Sequence, residues 1–198
     1  AFVTTFARTN WSVLGRDGSK ITVSLDLGHI MADDKSTPIC ELELELLAGK
    51  PAALFNLAQE IAATIAVLPS SKSKAERGYA LAQNCLDAPL RAQPPKLTVD
   101  LSVPQAAGRV LREMFCQFTD NLNTLLTSDS PEVVHQARIG WRRFKSAFRL
   151  FKPALVDREP PSWQALAVLL TSLGRLRDLD VARIDTLRPV EDAYTAGD

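Results

Sequence analysis

The sequence predicts an α+β protein in which antiparallel β-strands are followed by an antiparallel α-helical bundle. Three observations predict it. Residues 39–46, Ile-Cys-Glu-Leu-Glu-Leu-Glu-Leu, alternate strictly between apolar and charged, the period of a strand with one face on a core. Asp17-Gly18 stands between two β-rich runs and is a strong hairpin signal. Beyond residue 102, apolar residues recur at helical spacing in segments divided by Ser and Pro. The 198 residues carry 23 Lys and Arg against 23 Asp and Glu, which excludes a uniformly basic nucleic-acid binder. The 46 % hydrophobic content excludes a disordered chain. No apolar run approaches the roughly 18 residues that span a bilayer, and no signal peptide opens the chain.

In order, residues 2–13 read as a strand rich in Thr, Phe, Val and Trp, and 16–19 as a turn. Residues 20–27 form a second strand. Gly28 and residues 32–36 form the next turn, and 39–47 the third strand. Pro51 suits the start of a helix over 52–68, with Leu54, Leu57, Ile61, Ile65 and Leu68 on one face. A polar break at 69–74 precedes a short helix, 75–82. Residues 86–101, with Pro89, Pro94 and Pro95, read as a linker. Ser102 and Gln105 fit a capping box opening a helix to residue 127. Ser130-Pro131 opens a second, to residue 151. A third begins after Pro160-Pro161 and ends by residue 187, before Pro189. Cys40, Cys85 and Cys116 form no CxxC pair and read as small buried hydrophobes in a reducing compartment. His29 reads as a surface residue.

Charge is gathered rather than scattered. Glu41, Glu43 and Glu45 fall on one face of their strand, about 7 Å apart, with Cys40, Leu42, Leu44 and Leu46 on the other, against a core. Two readings stand. The face is simply solvated, or the aligned carboxylates hold a hard divalent ion such as Mg²⁺ or Mn²⁺, which relieves their repulsion. Arg8 shares a strand face with Thr4, Phe6 and Asn10, and reads first as a surface or ion-paired residue. The face of Lys20, Thr22, Ser24 and Asp26 reads as solvated.

From His135 to Lys152 there are six Lys or Arg and no acid. At 100° per residue, His135, Arg138, Arg142, Lys145 and Arg149 form a narrow stripe about 20 Å long. Val133, Trp141, Phe144, Phe148 and Phe151 form a separate apolar stripe. Such a cationic row repels itself without a multivalent anion, and Arg and Lys suit phosphate oxygens. The aromatics lie on the core stripe, which favours a compact inorganic polyanion over nucleic acid. In residues 173–181, Asp178 and Asp180 read as inter-helix salt-bridge partners, and Gly174 permits close helix approach.

These residues carry two resemblances. Ser24-Leu25-Asp26-Leu27-Gly28 with residues 38–46, and Phe6-Ala7-Arg8-Thr9-Asn10-Trp11, resemble the later part of a CYTH domain. That is the fold of class IV adenylyl cyclases, thiamine triphosphatases and bacterial inorganic triphosphatases. Val134-His135-Gln136-Ala137-Arg138 with Trp141-Arg142-Arg143-Phe144, and residues 173–181, resemble a CHAD domain. The resemblance implies a partial triphosphate-tunnel barrel over 1–85, a linker over 86–101 and a partial CHAD helical domain over 102–198. It implies Glu41, Glu43 and Glu45 as ligands of Mg²⁺ or Mn²⁺ and Arg8 as a phosphate ligand. His135, Arg138, Arg142, Lys145 and Arg149 would hold polyphosphate.

The implied function is that of a triphosphate- or polyphosphate-binding fragment of a cytoplasmic inorganic triphosphatase whose parent protein hydrolyses phosphoanhydrides with a metal. The alternatives are a non-catalytic polyphosphate-binding module and, from the shared fold alone, an adenylyl cyclase. An ExExK strand, usual at the start of a CYTH domain, does not precede Arg8, and no initiator Met is present. The sequence is therefore expected to be an excised piece with little or no catalysis of its own, prone to self-association through its open edges. Its expected partners are inorganic triphosphate or polyphosphate, without a membrane.

Overall fold

The computed structural model describes residues 1–155 and 162–195. It divides into two compact units, Ala1–Leu86 and Asp87–Asp198. In the first, β1 (Val3–Leu14), β2 (Lys20–Ala32) and β3 (Lys35–Ala48) form an antiparallel sheet in the order β1-β2-β3. The first hairpin closes at Asp17-Gly18, where Gly18 has φ 80° and Asp17 Oδ1 accepts from Ser19 N at 3.0 Å. The second closes at Asp33-Asp34, with Asp33 in the left-handed region at φ 53°.

The second strand is therefore five residues longer than the sequence suggests, and Gly28 is not a turn residue. It lies mid-strand between Phe6 and Ile39. A Cβ there would sit 2.1 Å from Thr5 O and 2.5 Å from Phe6 Cα, so the glycine answers a close backbone approach.

Two helices follow, α1 (Ala52–Ala62) and α2 (Lys74–Ala82). The first stops six residues short of its expected end. Thr64, Ile65 and Val67 are β-branched, and Pro69 disfavours helix in the residue before it. The second is fixed by a capping box: Ser73 Oγ accepts from Glu76 N, and Glu76 Oε2 accepts from Ser73 N.

This helix lies over the face of the sheet that carries the glutamates, where Leu81 packs on Ile30, Ala32 and Ile39. The opposite face was expected to be the core side of β3. Its Leu42, Leu44 and Leu46 are only half-buried and Cys40 is exposed, while Ile21 and Val23 of β2 are the buried residues there. Cys85 is also exposed and Cys116 intermediate, so the expectation of three buried thiols does not hold.

The second unit opens without helix or strand up to Ser102, and Asn121 ties this stretch down. Its Oδ1 accepts from Leu90 N at 3.0 Å and its Nδ2 donates to Leu90 O at 2.9 Å. Helix α3 (Val103–Thr124) carries the predicted Ser102–Gln105 capping box, and α4 (Pro131–Phe151) starts at the predicted proline. Short 3₁₀ turns at Lys152–Leu155 and Gln164–Leu166 precede α5 (Ala167–Val181). The predicted start at Pro160-Pro161 lies outside the described residues.

The helix does not end before Pro189. It widens into a π-helical segment, Ala182–Leu187, and continues as α6 (Arg188–Thr195). The changed hydrogen-bond ladder at that junction accommodates a residue without an N–H. Phe118, Leu122, Val134, Ala137, Trp141 and Leu173 form the core. Trp141 meets Phe118 and Trp163 with ring centroids 5.2 Å apart in each pair. Among the described residues no helix is long and apolar enough to cross a membrane.

Candidate functional site

Strand pairing builds the first site. Asp26 stands opposite Arg8 on one side and Glu41 on the other, and Glu43 stands opposite Ser24. Alternation puts all of these on one sheet face. Arg8 donates through Nε and Nη2 to both oxygens of Asp26, each at 2.6 Å, and through Nη2 to Glu43 Oε2 at 2.6 Å. The capped start of α2 brings in Lys74. Its Nζ lies 2.6 Å from Asp26 Oδ2, 2.7 Å from Glu43 Oε1 and 3.3 Å from Glu41 Oε1. One helical turn on, Arg77 Nη1 lies 3.5 Å from Glu41 Oε1, and its Nη2 donates to Pro38 O at 2.5 Å. Phe6 lies beneath the cations, its ring centroid 5.6 Å from Arg8 Cζ and 5.2 Å from Lys74 Nζ.

Three carboxylates and three cations thus neutralise one another. The Asp26 side chain is fully buried. Hydrogen bonds from Arg8, reinforced by Lys74, outweigh burial and hold its carboxyl at about 2. Burial alone would push Lys74 down, but Asp26, Glu43 and Glu41 overcome it and hold the ammonium at about 12. Glu43 is held below its ordinary value, first by its hydrogen bond from Lys74. The Arg8 guanidinium is held above its ordinary value, chiefly by Asp26.

The carboxylates suit a hard divalent ion by chemistry, but their focus is filled by the Lys74 ammonium. As arranged they form no metal site, and among the described residues no cluster of three or more His, Cys, Asp or Glu is placed to hold one. The repulsion expected along the glutamate face is relieved by cations of the protein itself, Arg8, Lys74 and Arg77. Glu45 stands opposite Thr22, exposed, and belongs to no ion pair among the described residues.

Sequence reasoning missed Asp26, Lys74 and Arg77. Asp26 was visible only as part of a polar strand face: a two-residue turn at Asp17-Gly18 would set Leu27 opposite Arg8, and the longer loop between Leu14 and Lys20 sets Asp26 there instead. Lys74 and Arg77 depend on where α2 docks, and no local signal carries that.

The second candidate lies on α4. Val133 and Trp141 are buried, while Arg142, Lys145 and Arg149 are exposed and His135 and Arg138 half-buried. A Cβ on Gly174 of α5 would sit 2.9 Å from Arg138 Nη1, so the glycine makes room for that guanidinium. Among the described residues no carboxylate lies within ion-pair distance of any member of this row. Arg143, off the row, donates to Gln117 Oε1 at 2.6 Å. Asp178 and Asp180 form no ion pair among the described residues, contrary to the salt bridges expected of them, and Asp180 Oδ2 is buried without a hydrogen-bond partner.

A curated inorganic triphosphatase from Haemophilus influenzae is 41 % identical to this chain over 80 residues, 40 % of the chain and 22 % of the relative. The match thus spans about a fifth of that protein's length. The CYTH domain model matches residues 1–79, and the CHAD domain model matches residues 109–196. The chain carries CYTH-domain sequence followed by CHAD-domain sequence, an α+β arrangement of an antiparallel sheet and then helices.

Proposed function

We propose that the sheet face of the first unit binds inorganic triphosphate and serves phosphoanhydride hydrolysis in an inorganic triphosphatase. The observation that carries this reading is the convergence of Arg8, Lys74 and Arg77 on one face around a fully buried Asp26. Phosphoryl transfer asks a protein mostly for positioning and for charge that meets the developing charge on phosphate oxygens. The Arg8 fork suits two such oxygens, and Lys74 supplies a point charge. Similarity to the Haemophilus influenzae inorganic triphosphatase supports the same substrate class. Mg²⁺ or Mn²⁺ is part of the proposal, with Glu41 and Glu43 as its carboxylates and Glu45 next on the face. No step is derived through the ion, because Lys74 holds its place in this arrangement.

A second reading, a non-catalytic polyphosphate-binding module, is supported by the α4 row. His135, Arg138, Arg142, Lys145 and Arg149 lack carboxylate partners among the described residues. Calorimetric titration with tripolyphosphate in Mg²⁺ buffer separates the two. Loss of binding in Arg8→Gln/Arg77→Gln, with binding kept in Arg138→Gln/Arg142→Gln/Arg149→Gln, is the expected result. The reverse pattern would transfer the function to the helical row, and no binding by the parent chain would refute both readings.

A further inference from the structure

Resting on the sheet-face reading above, we propose that Lys74 is the residue that determines which ions the site admits. Its ammonium occupies the point where a cation would sit, so a free divalent ion is excluded until a polyphosphate draws Lys74 away.

The geometry supports this in three ways. The ammonium is met by oxygens of three different carboxylates, Asp26, Glu43 and Glu41, at 2.6, 2.7 and 3.3 Å. It is the least exposed of the three cations, at 15 % against 39 % for Arg8 and 21 % for Arg77. Lastly, it is anchored at the first residue of α2, directly after the capping Ser73, on a side chain with four rotatable carbons. A tethered ammonium competes with a free cation at high effective concentration. It also fits a phosphate oxygen as readily as a carboxylate. A polyphosphate offers new partners to Lys74, Arg8 and Arg77 together, and the carboxylates they leave then favour a divalent ion. Anion and cation are therefore coupled, each improving the site for the other, as linkage requires. Net neutrality alone does not predict this. It would treat the loss of Arg77 and the loss of Lys74 alike, whereas the seat belongs to Lys74.

The test is Mn²⁺ binding followed by electron paramagnetic resonance on the full chain carrying Arg138→Gln/Arg142→Gln/Arg149→Gln, so that the α4 row adds nothing. Without polyphosphate, Lys74→Gln is expected to bind Mn²⁺ roughly tenfold more tightly than its parent, within the ordinary range of coupling. Lys74→Arg is expected to stay near the parent, and Arg77→Gln, which frees only one side of Glu41, to gain clearly less than Lys74→Gln. Equal Mn²⁺ affinity in parent and Lys74→Gln, or an equal gain in Arg77→Gln, would overturn the proposal.

A measurement on the unsubstituted chain stands independently of whether Lys74→Gln folds. The ¹⁵N resonance of the Lys74 ammonium should move when Mg²⁺ and tripolyphosphate are added together and stay in place with Mg²⁺ alone. A shift with Mg²⁺ alone would overturn the role given to Lys74 while leaving triphosphate binding intact. No shift and no sheet-face binding with both ligands would refute the triphosphate reading itself, and the proposal with it.

Discussion

Replacing Asp26 with Asn tests whether one buried carboxylate organises the sheet site. Asp26 receives three contacts at 2.6 Å, two from Arg8 and one from Lys74, and its side chain has no exposure. Asn keeps one acceptor oxygen, but turns an amide donor toward cations that can only donate. Removing one partner from a buried charge pair costs about 3–5 kcal/mol. Arg8 is 39 % exposed and still reaches Glu43, and Lys74 still reaches Glu41 and Glu43, so the cost belongs at the lower end, about 3 kcal/mol. For a unit of this size that corresponds to a Tm roughly 12–24 °C lower. Urea unfolding read by hydrogen–deuterium exchange of β2 and β3 peptides isolates the first unit from the second. A loss below about 1 kcal/mol would place the cluster among screened surface pairs and refute the account.

Acid provides a second check on the same residue. Its folded value near 2 lies below the ordinary 3.8, so its stabilisation is present above pH ~4 and is lost as pH falls through about 2. Unfolding free energy measured between pH 5 and 2, on the order of the range such linkage covers, should decline more steeply in the parent than in Asp26→Asn. Phe6→Leu removes the ring beneath both cations and should cost about 0.5–1 kcal/mol in urea unfolding. Gly140→Ala would set a Cβ 2.8 Å from Phe118 N and 3.1 Å from Gln117 C, backbone atoms of α3 that cannot turn aside. It should destabilise the second unit by about 1–3 kcal/mol despite the better helix propensity of Ala, and an increase in Tm would contradict this packing.

What was legible in the sequence was local. The alternation of residues 39–46, the Asp17-Gly18 turn, the Ser102–Gln105 box and Pro131 each act within a few residues, and each marks its element in the structure. Gly28 misled because glycine serves turns and close backbone approaches equally, and only the partner strand decides between them. Pro189 misled because a π-helical segment absorbs it. At the site, the glutamate face was visible, but the charges that balance it were not. Those come from Arg8 on β1, across β2 from the glutamates, and from a helix about 30 residues away in the sequence, so they are set by sheet register and tertiary docking. The cationic stripe of α4 was legible throughout, because a single helix carries it.

The two charge clusters also differ in reach. Equal numbers of opposite charges at contact distance on the sheet face cancel within a few ångströms and cast almost no field into solvent. The row on α4, without a carboxylate partner among the described residues, projects a positive potential across a Debye length, about 10 Å at 0.1 M salt. The helix thus draws a polyanion from a distance, whereas the sheet cluster acts only at contact. Lowering ionic strength should accelerate polyanion association with the α4 row.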